Sequence, residues 1–123
     1  MKKVLLTISF LLILCTSIFA KYTQTCQVKY STTNGWSKKY TVEVNFLTGS
    51  ELNTATNSFN YSSYSTYAAI FWGEGKATII KLSSYLSCGM EVSKSCITSS
   101  IMDLKGKDQE GDEWNICTGN YCY

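Results

Sequence analysis

Between residues 22 and 30 the chain alternates in character. Tyr22, Cys26, Val28 and Tyr30 fall on one face, and Thr23, Thr25, Gln27 and Lys29 on the other. A period of two over this length predicts a half-buried β-strand. The pattern returns at Tyr40, Val42, Val44 and Phe46, interleaved with Thr41, Glu43 and Asn45, and predicts a second strand. Asn34-Gly35 stands between them and is the ordinary signal for a two-residue hairpin turn. Parity opposes that turn, because pairing Thr33 with Trp36 would set Val28 against Thr41 and put the apolar rows on opposite faces. The register must therefore shift by one residue. Pairing Tyr30 with Tyr40 and Val28 with Val42 aligns the rows, and it requires a three-residue loop, a bulge or a longer turn near residues 34–36.

Residues 49–56 break the alternation, and Ser50 with Glu51 and Leu52 can cap and begin a single helical turn. The run Tyr-Ala-Ala-Ile-Phe-Trp at residues 67–72 is continuously apolar, as expected of a strand covered on both sides. Gly73-Glu74-Gly75-Lys76 reads as the turn into a further strand over residues 77–82, giving a central hairpin. Residues 83–96 show little periodicity and read as a loop pinned by cysteine. Met102 and Leu104 then face Trp114 and Ile116 across residues 107–111, with parity consistent with a five-residue hairpin loop. About six strands, no proline and almost no helical periodicity predict an antiparallel all-β domain, a small barrel or a sandwich, stapled by disulfides.

The first twenty residues read differently. Lys2 and Lys3 precede an apolar run over residues 4–14, then Cys15-Thr16-Ser17 and Ile18-Phe19-Ala20, the layout of a secretory signal peptide cleaved after Ala20. Residues 21–123 are then expected to form one secreted or periplasmic β-domain. No later stretch approaches the apolar length of a spanning helix, so no membrane insertion of the mature chain is expected. The leader takes two of the 11 basic residues and none of the nine acids, leaving nine of each sign. A neutral chain with no arginine offers little counterion release, and nucleic acid is not an expected partner. Histidine is absent as well. Imidazole bases, Ser-His-Asp triads, Cys-His pairs and imidazole metal ligands are thereby excluded, and neither a metal nor any other cofactor is expected.

Of six cysteines, Cys15 leaves with the leader, and Cys26, Cys88, Cys96, Cys117 and Cys122 remain as candidates for structural disulfides. An odd number in an oxidising compartment implies two bridges and one thiol that is free, buried or paired with another chain. Pairing Cys88 with Cys96 and Cys117 with Cys122 closes short loops and is preferred, although longer bridges from Cys26 would constrain the unfolded chain more. No Cys-x-x-Cys occurs, so a thioredoxin-type pair and a zinc knuckle both lack their spacing.

The candidate recognition surface is a tyrosine/serine tract over residues 58–67. Tyrosine combines a large rigid face with a hydroxyl, and serine supplies adaptable hydrogen bonds. Tyr61, Ser63 and Tyr64 are the candidate contact residues. The competing reading packs Phe59, Tyr61 and Tyr67 inward and leaves the serines to solvate an edge. Trp36, Trp72 and Trp114 could form a sugar-stacking platform, but their strand context places at least two of them in the core. Trp36, in the first hairpin, is the one expected to be exposed and to contribute to binding. Asp103, Asp108, Glu110, Asp112 and Glu113 cluster around the last hairpin without the spacing of an EF-hand loop and read as a solvated turn.

Tyr22 and Cys26, the stretch Phe71-Trp72-x-x-Gly75-x-Ala77 and a later cysteine are similar to short motifs of the small periplasmic lysozyme inhibitors of the membrane-bound and periplasmic C-type class. That resemblance implies a β-barrel that inserts a loop into a lysozyme cleft. Residues 63–67 match the family's Ser-Gly-x-x-Tyr loop without its glycine, and residues 96–123 have no counterpart, so the chain is not assigned to the family. Three readings of function follow. The first is a non-catalytic binding domain that recognises an extracellular or envelope protein or glycan through surface aromatics. The second is a lysozyme-type inhibitor acting by loop insertion, and the third a glycan hydrolase built on acids of the last hairpin.

Overall fold

The structure, a computed structural model, describes residues 22–83, 88, 92–98, 103–118 and 122. The strands are β1 (Tyr22–Thr32), β2 (Gly35–Trp36), β3 (Tyr40–Thr48), β4 (Thr66–Gly73), β5 (Lys76–Leu82), β6 (Leu104–Asp108) and β7 (Glu113–Cys117). Helix α1 (Gly49–Thr56) joins β3 to β4, and the short α2 (Lys94–Thr98) precedes β6. All pairings are antiparallel, in the order β2-β1-β3-β4-β5-β6-β7. A further pairing of β1 with β7 closes six strands into a barrel and leaves β2 as an appendage. Of the two expected architectures, the barrel is the one formed. Closure satisfies edge groups that an open sheet would present to solvent.

The expected one-residue shift of the first hairpin is present, but the pairing differs by two residues from the one expected. Tyr40 faces Val28 and Val42 faces Cys26, where Tyr30 and Val28 were anticipated. The apolar rows still share a face, since a displacement of two preserves parity. The chain turns through Thr33-Asn34, with Thr32 opposite Gly35 and Ser31 opposite Trp36. Four steps from Trp36 to Tyr40 then match three from Ser31 to Val28, so the extra residue lies in residues 37–39 rather than in the turn. Ser37 secures it: its N–H donates to the Tyr30 carbonyl at 2.8 Å, and its hydroxyl accepts from the Tyr30 N–H at 3.0 Å.

Two buried layers follow from the strand faces. Val28, Val44, Phe46, Ala68, Ile70, Ile80, Leu104, Trp114 and Ile116 fill the barrel. Leu47, Leu52, Tyr67, Ala69, Ala77 and Ile79 form a second cluster that includes residues of α1 and of β3, β4 and β5. The continuously apolar β4 is thus covered on both sides, Ala68 and Ile70 facing one cluster and Tyr67 and Ala69 the other.

Helix α1 is longer than the expected single turn, and its cap is Thr48, not Ser50. The Thr48 hydroxyl accepts from the Glu51 N–H at 3.1 Å, and the Glu51 carboxylate accepts from the Thr48 N–H at 2.8 Å, a reciprocal box that satisfies two otherwise unpaired donors. In the last hairpin Leu104 pairs with Ile116, Gly106 with Trp114 and Lys107 with Glu113. Its five-residue loop is residues 108–112, one position beyond that expected, and Met102 lies outside the described residues. Helix α2 begins within the segment read as loop, residues 83–96, and extends two residues beyond it. No helix of the described residues is long and apolar enough to cross a membrane. The leader expected over residues 1–20 lies outside the described residues.

Candidate functional site

The segment between α1 and β4 is held from both sides. At the helix C-terminus Asn57 adopts the left-handed conformation at φ 54°, and the Ser58 N–H donates to the Asn53 carbonyl at 2.9 Å. The Asn53 side chain then clasps Tyr61, donating to its carbonyl and accepting from its N–H, both at 2.9 Å. The Ser62 N–H donates to the Tyr67 hydroxyl at 2.9 Å, and the Gly49 N–H donates to the Ser65 carbonyl at 2.9 Å. A Cβ at Gly49 would collide with the Ser62 carbonyl, so only glycine permits this approach of helix and loop. The loop has little regular structure, yet its backbone is tied to α1 and β4 at several points.

That backbone sets the fate of each aromatic ring. Tyr61 is half-buried, its ring edge-on to Tyr67 with centroids 5.3 Å apart, and burial with the neighbouring Tyr67 raises its phenol above the usual range. Tyr67 is buried, as the inward-packing reading expected. Phe59 is the correction to that reading, because it is 98% exposed. Tyr64 is 100% exposed, and Ser63 beside it is exposed as well. The structure therefore brings Tyr61, Ser63 and Tyr64 into one loop, with Tyr61 as its anchor, and adds Phe59 to the exposed set.

Trp36 is not part of this surface. It is exposed on the β1–β2 hairpin, with the Lys29 ammonium 5.2 Å from its ring centroid. The loop leaves β3 at Thr48, whereas the hairpin enters it at Tyr40, so about 26 Å of strand separates them at ~3.3 Å per residue. Trp36 instead borders a groove of about 510 Å³ shared with Lys81, Lys105, Lys107 and Glu113.

At the hairpin end of the barrel, aromatic rings stack across strands. Tyr30 contacts Trp114 at 5.1 Å and Tyr40 at 6.3 Å, and Trp72 meets Tyr40 at 5.9 Å and Trp114 at 6.4 Å. An irregularity between Phe71 and Gly73 marks the place of Trp72, whose indole N–H donates to the Thr78 hydroxyl at 2.9 Å. Trp114 alone of the three tryptophans is buried, against the expectation that at least two would be. Trp72 lies next to last in β4 and stays 40% exposed.

The acidic hairpin also differs from a solvated turn at one residue. Asp108 is buried, one carboxylate oxygen accepting from the Glu110 and Asp112 N–H groups at 2.8 and 3.0 Å and the other from the Trp114 indole at 2.8 Å. Its role is to fold the turn and orient Trp114. Among the described residues no three Cys, Asp or Glu side chains converge as a metal site. Cys88 bonds to Cys96 and Cys117 to Cys122, the preferred pairing. Among the described residues Cys26 is the remaining thiol, free and buried, and burial pushes it up to about 12. Such a thiol stays protonated at neutral pH and is a poor nucleophile.

In comparisons with known proteins, the chain matches no family profile, no curated protein and no solved structure.

Proposed function

We propose that the chain is an exported, non-catalytic binding domain that grips a protein partner with the loop of residues 57–65. The observation that carries this reading is the full exposure of Phe59 and Tyr64 on a backbone fixed by Asn53, Gly49 and Tyr67. Leaving two large rings in water forgoes burial worth roughly 1.5–3 kcal/mol per side chain, and the fold gains nothing from them. Aromatic anchors on a pre-ordered segment lower the entropy cost of docking, which is where affinity is most readily gained. Tyr61 supports the loop, Ser63 offers a hydroxyl beside Tyr64, and two disulfides suit an oxidising compartment. The test is affinity capture of envelope or host extracellular proteins on the oxidised chain. Phe59→Ala with Tyr64→Ala should abolish capture while leaving circular dichroism unchanged; undiminished capture rejects this surface.

A second reading narrows the partner to a lysozyme. A closed barrel with Ser63 and Tyr64 exposed in the loop that precedes β4 is compatible with the arrangement that the resemblance to lysozyme inhibitors implies, although Tyr67 is buried. In a turbidity assay the oxidised chain should slow lysis at equimolar ratio. Unslowed lysis at excess rejects this reading and leaves the first standing.

A further inference from the structure

A separate feature lies across β5, β6 and β7 beside the β1–β2 hairpin. The registers set Lys81 opposite Lys107 across β5 and β6, and Lys107 opposite Glu113 across β6 and β7. The Glu113 N–H donates to the Ser31 hydroxyl at 3.1 Å, and Ser31 is the cross-strand partner of Trp36. Two lysines, a single carboxylate and an indole thus follow one another across the sheet, and Lys105 joins them in lining the groove. Directly opposed like charges weaken a sheet, and the Lys81–Lys107 pair is a local cost that Glu113, opposite Lys107 alone, offsets only on one side. Gly106 lies between Lys105 and Lys107 on β6, opposite Leu82 and Trp114, where a Cβ would collide with the Lys81 carbonyl and the Ile80 side chain, so its missing side chain permits the close approach of β5 and β6 beneath the groove.

We propose that this groove is a binding site for an acidic saccharide bearing uronate-type carboxylates, independent of the loop of residues 57–65. Its volume of about 510 Å³ lies in the small-ligand range of roughly 300–1,000 Å³. The indole of Trp36 offers a flat apolar face to a sugar ring, and the Lys81 and Lys107 ammonium groups supply point charges for carboxylates. A phosphate-bearing chain is the poorer fit. The groove holds no guanidinium fork, and its strand segments spend backbone N–H groups on the sheet ladders, leaving no amide cradle of the kind that receives phosphate.

The experiment titrates the oxidised full chain with tetragalacturonate, with its methyl-esterified neutral form and with an oligothymidylate of equal charge, read by tryptophan emission and calorimetry. Saturable binding of the uronate is expected, with affinity for the ester and for the oligothymidylate weaker by about ten-fold or more. Trp36→Ala and Lys81→Glu should each weaken uronate binding by about ten-fold. Lys81→Glu should at the same time raise the thermal midpoint, because it replaces a like-charge pair with an opposite-charge one. The variant Phe59→Ala with Tyr64→Ala should bind the uronate unchanged. The proposal is overturned by absent uronate binding, by equal affinity for the ester, by oligothymidylate binding as tightly, or by loss of binding in the loop variant.

Discussion

A phenyl ring and a phenol ring standing free in water are the residues on which the functional reading turns. Replacing Phe59 or Tyr64 with alanine removes no packing, so each change should alter folding stability by less than about 0.5 kcal/mol, measured by urea denaturation. Tyr61→Ala should behave differently and destabilise, since it deletes the ring that packs on Tyr67. Asp108→Ala strips partners from two backbone N–H groups and the Trp114 indole, and should cost about 3 kcal/mol or more, seen as a lowered midpoint with altered tryptophan emission. Cys26 sets an alkaline limit. Its thiol titrates at about 12 in the fold against 9.0 for an unperturbed group, so the folded chain keeps a proton that the unfolded chain releases. The stability this contributes is complete below pH 9 and is lost as pH rises through about 12. Cys26→Ala should show a shallower loss over that window, and the native thiol should resist alkylation at neutral pH until denaturant is added. Equal alkaline slopes for the two chains would remove Cys26 from the account.

At the scale of elements, α1 and the loop that follows it act as a unit. Asn53→Ala removes both hydrogen bonds that hold Tyr61 and should weaken partner capture without touching an exposed ring, with a stability cost of about 1–3 kcal/mol measured in the same denaturation series. Gly106→Ala tests the approach of β5 to β6. The added methyl meets Lys81 backbone, so the hairpin must shift at a cost of about 1–3 kcal/mol. The strands were legible because alternation fixes which residues share a face, and parity alone required a one-residue irregularity in the first hairpin, although it lies in residues 37–39 and not at the expected residues 34–36. The pairing itself was displaced by two, as parity cannot distinguish registers that keep the same faces. The pair Thr48 and Glu51 carries capping-box spacing, and heeding it would have placed the start of α1 correctly. The tyrosine/serine tract is opaque for a physical reason. It has no period, and the choice of which ring turns inward is made by Asn53, Gly49 and Tyr67, residues outside the tract or at its edge. Trp72 ends a continuously apolar run that reads as core throughout, whereas burial along β4 stops at Ile70.

For the molecule as a whole, closure of β1 on β7 and the covering of β3, β4 and β5 by α1 make a scaffold that holds its loops from beneath. The two disulfides close loops with sequence separations of 8 and 5, and by loop entropy each contributes about 2–2.5 kcal/mol. Reduction should therefore lower the thermal midpoint while the β-sheet circular dichroism persists below it. Under the proposed function the barrel matters through residues 57–65, whose backbone it holds in one shape ahead of any partner. Amide hydrogen exchange of the oxidised chain alone tests that claim most directly. The N–H groups of Tyr61, Ser62 and Ser65, bonded to Asn53, Tyr67 and Ser62, should exchange at least about a hundredfold more slowly than an unstructured segment. Exchange of all three at the unprotected rate would contradict the account, for the exposed rings would then ride on a segment with no shape of its own.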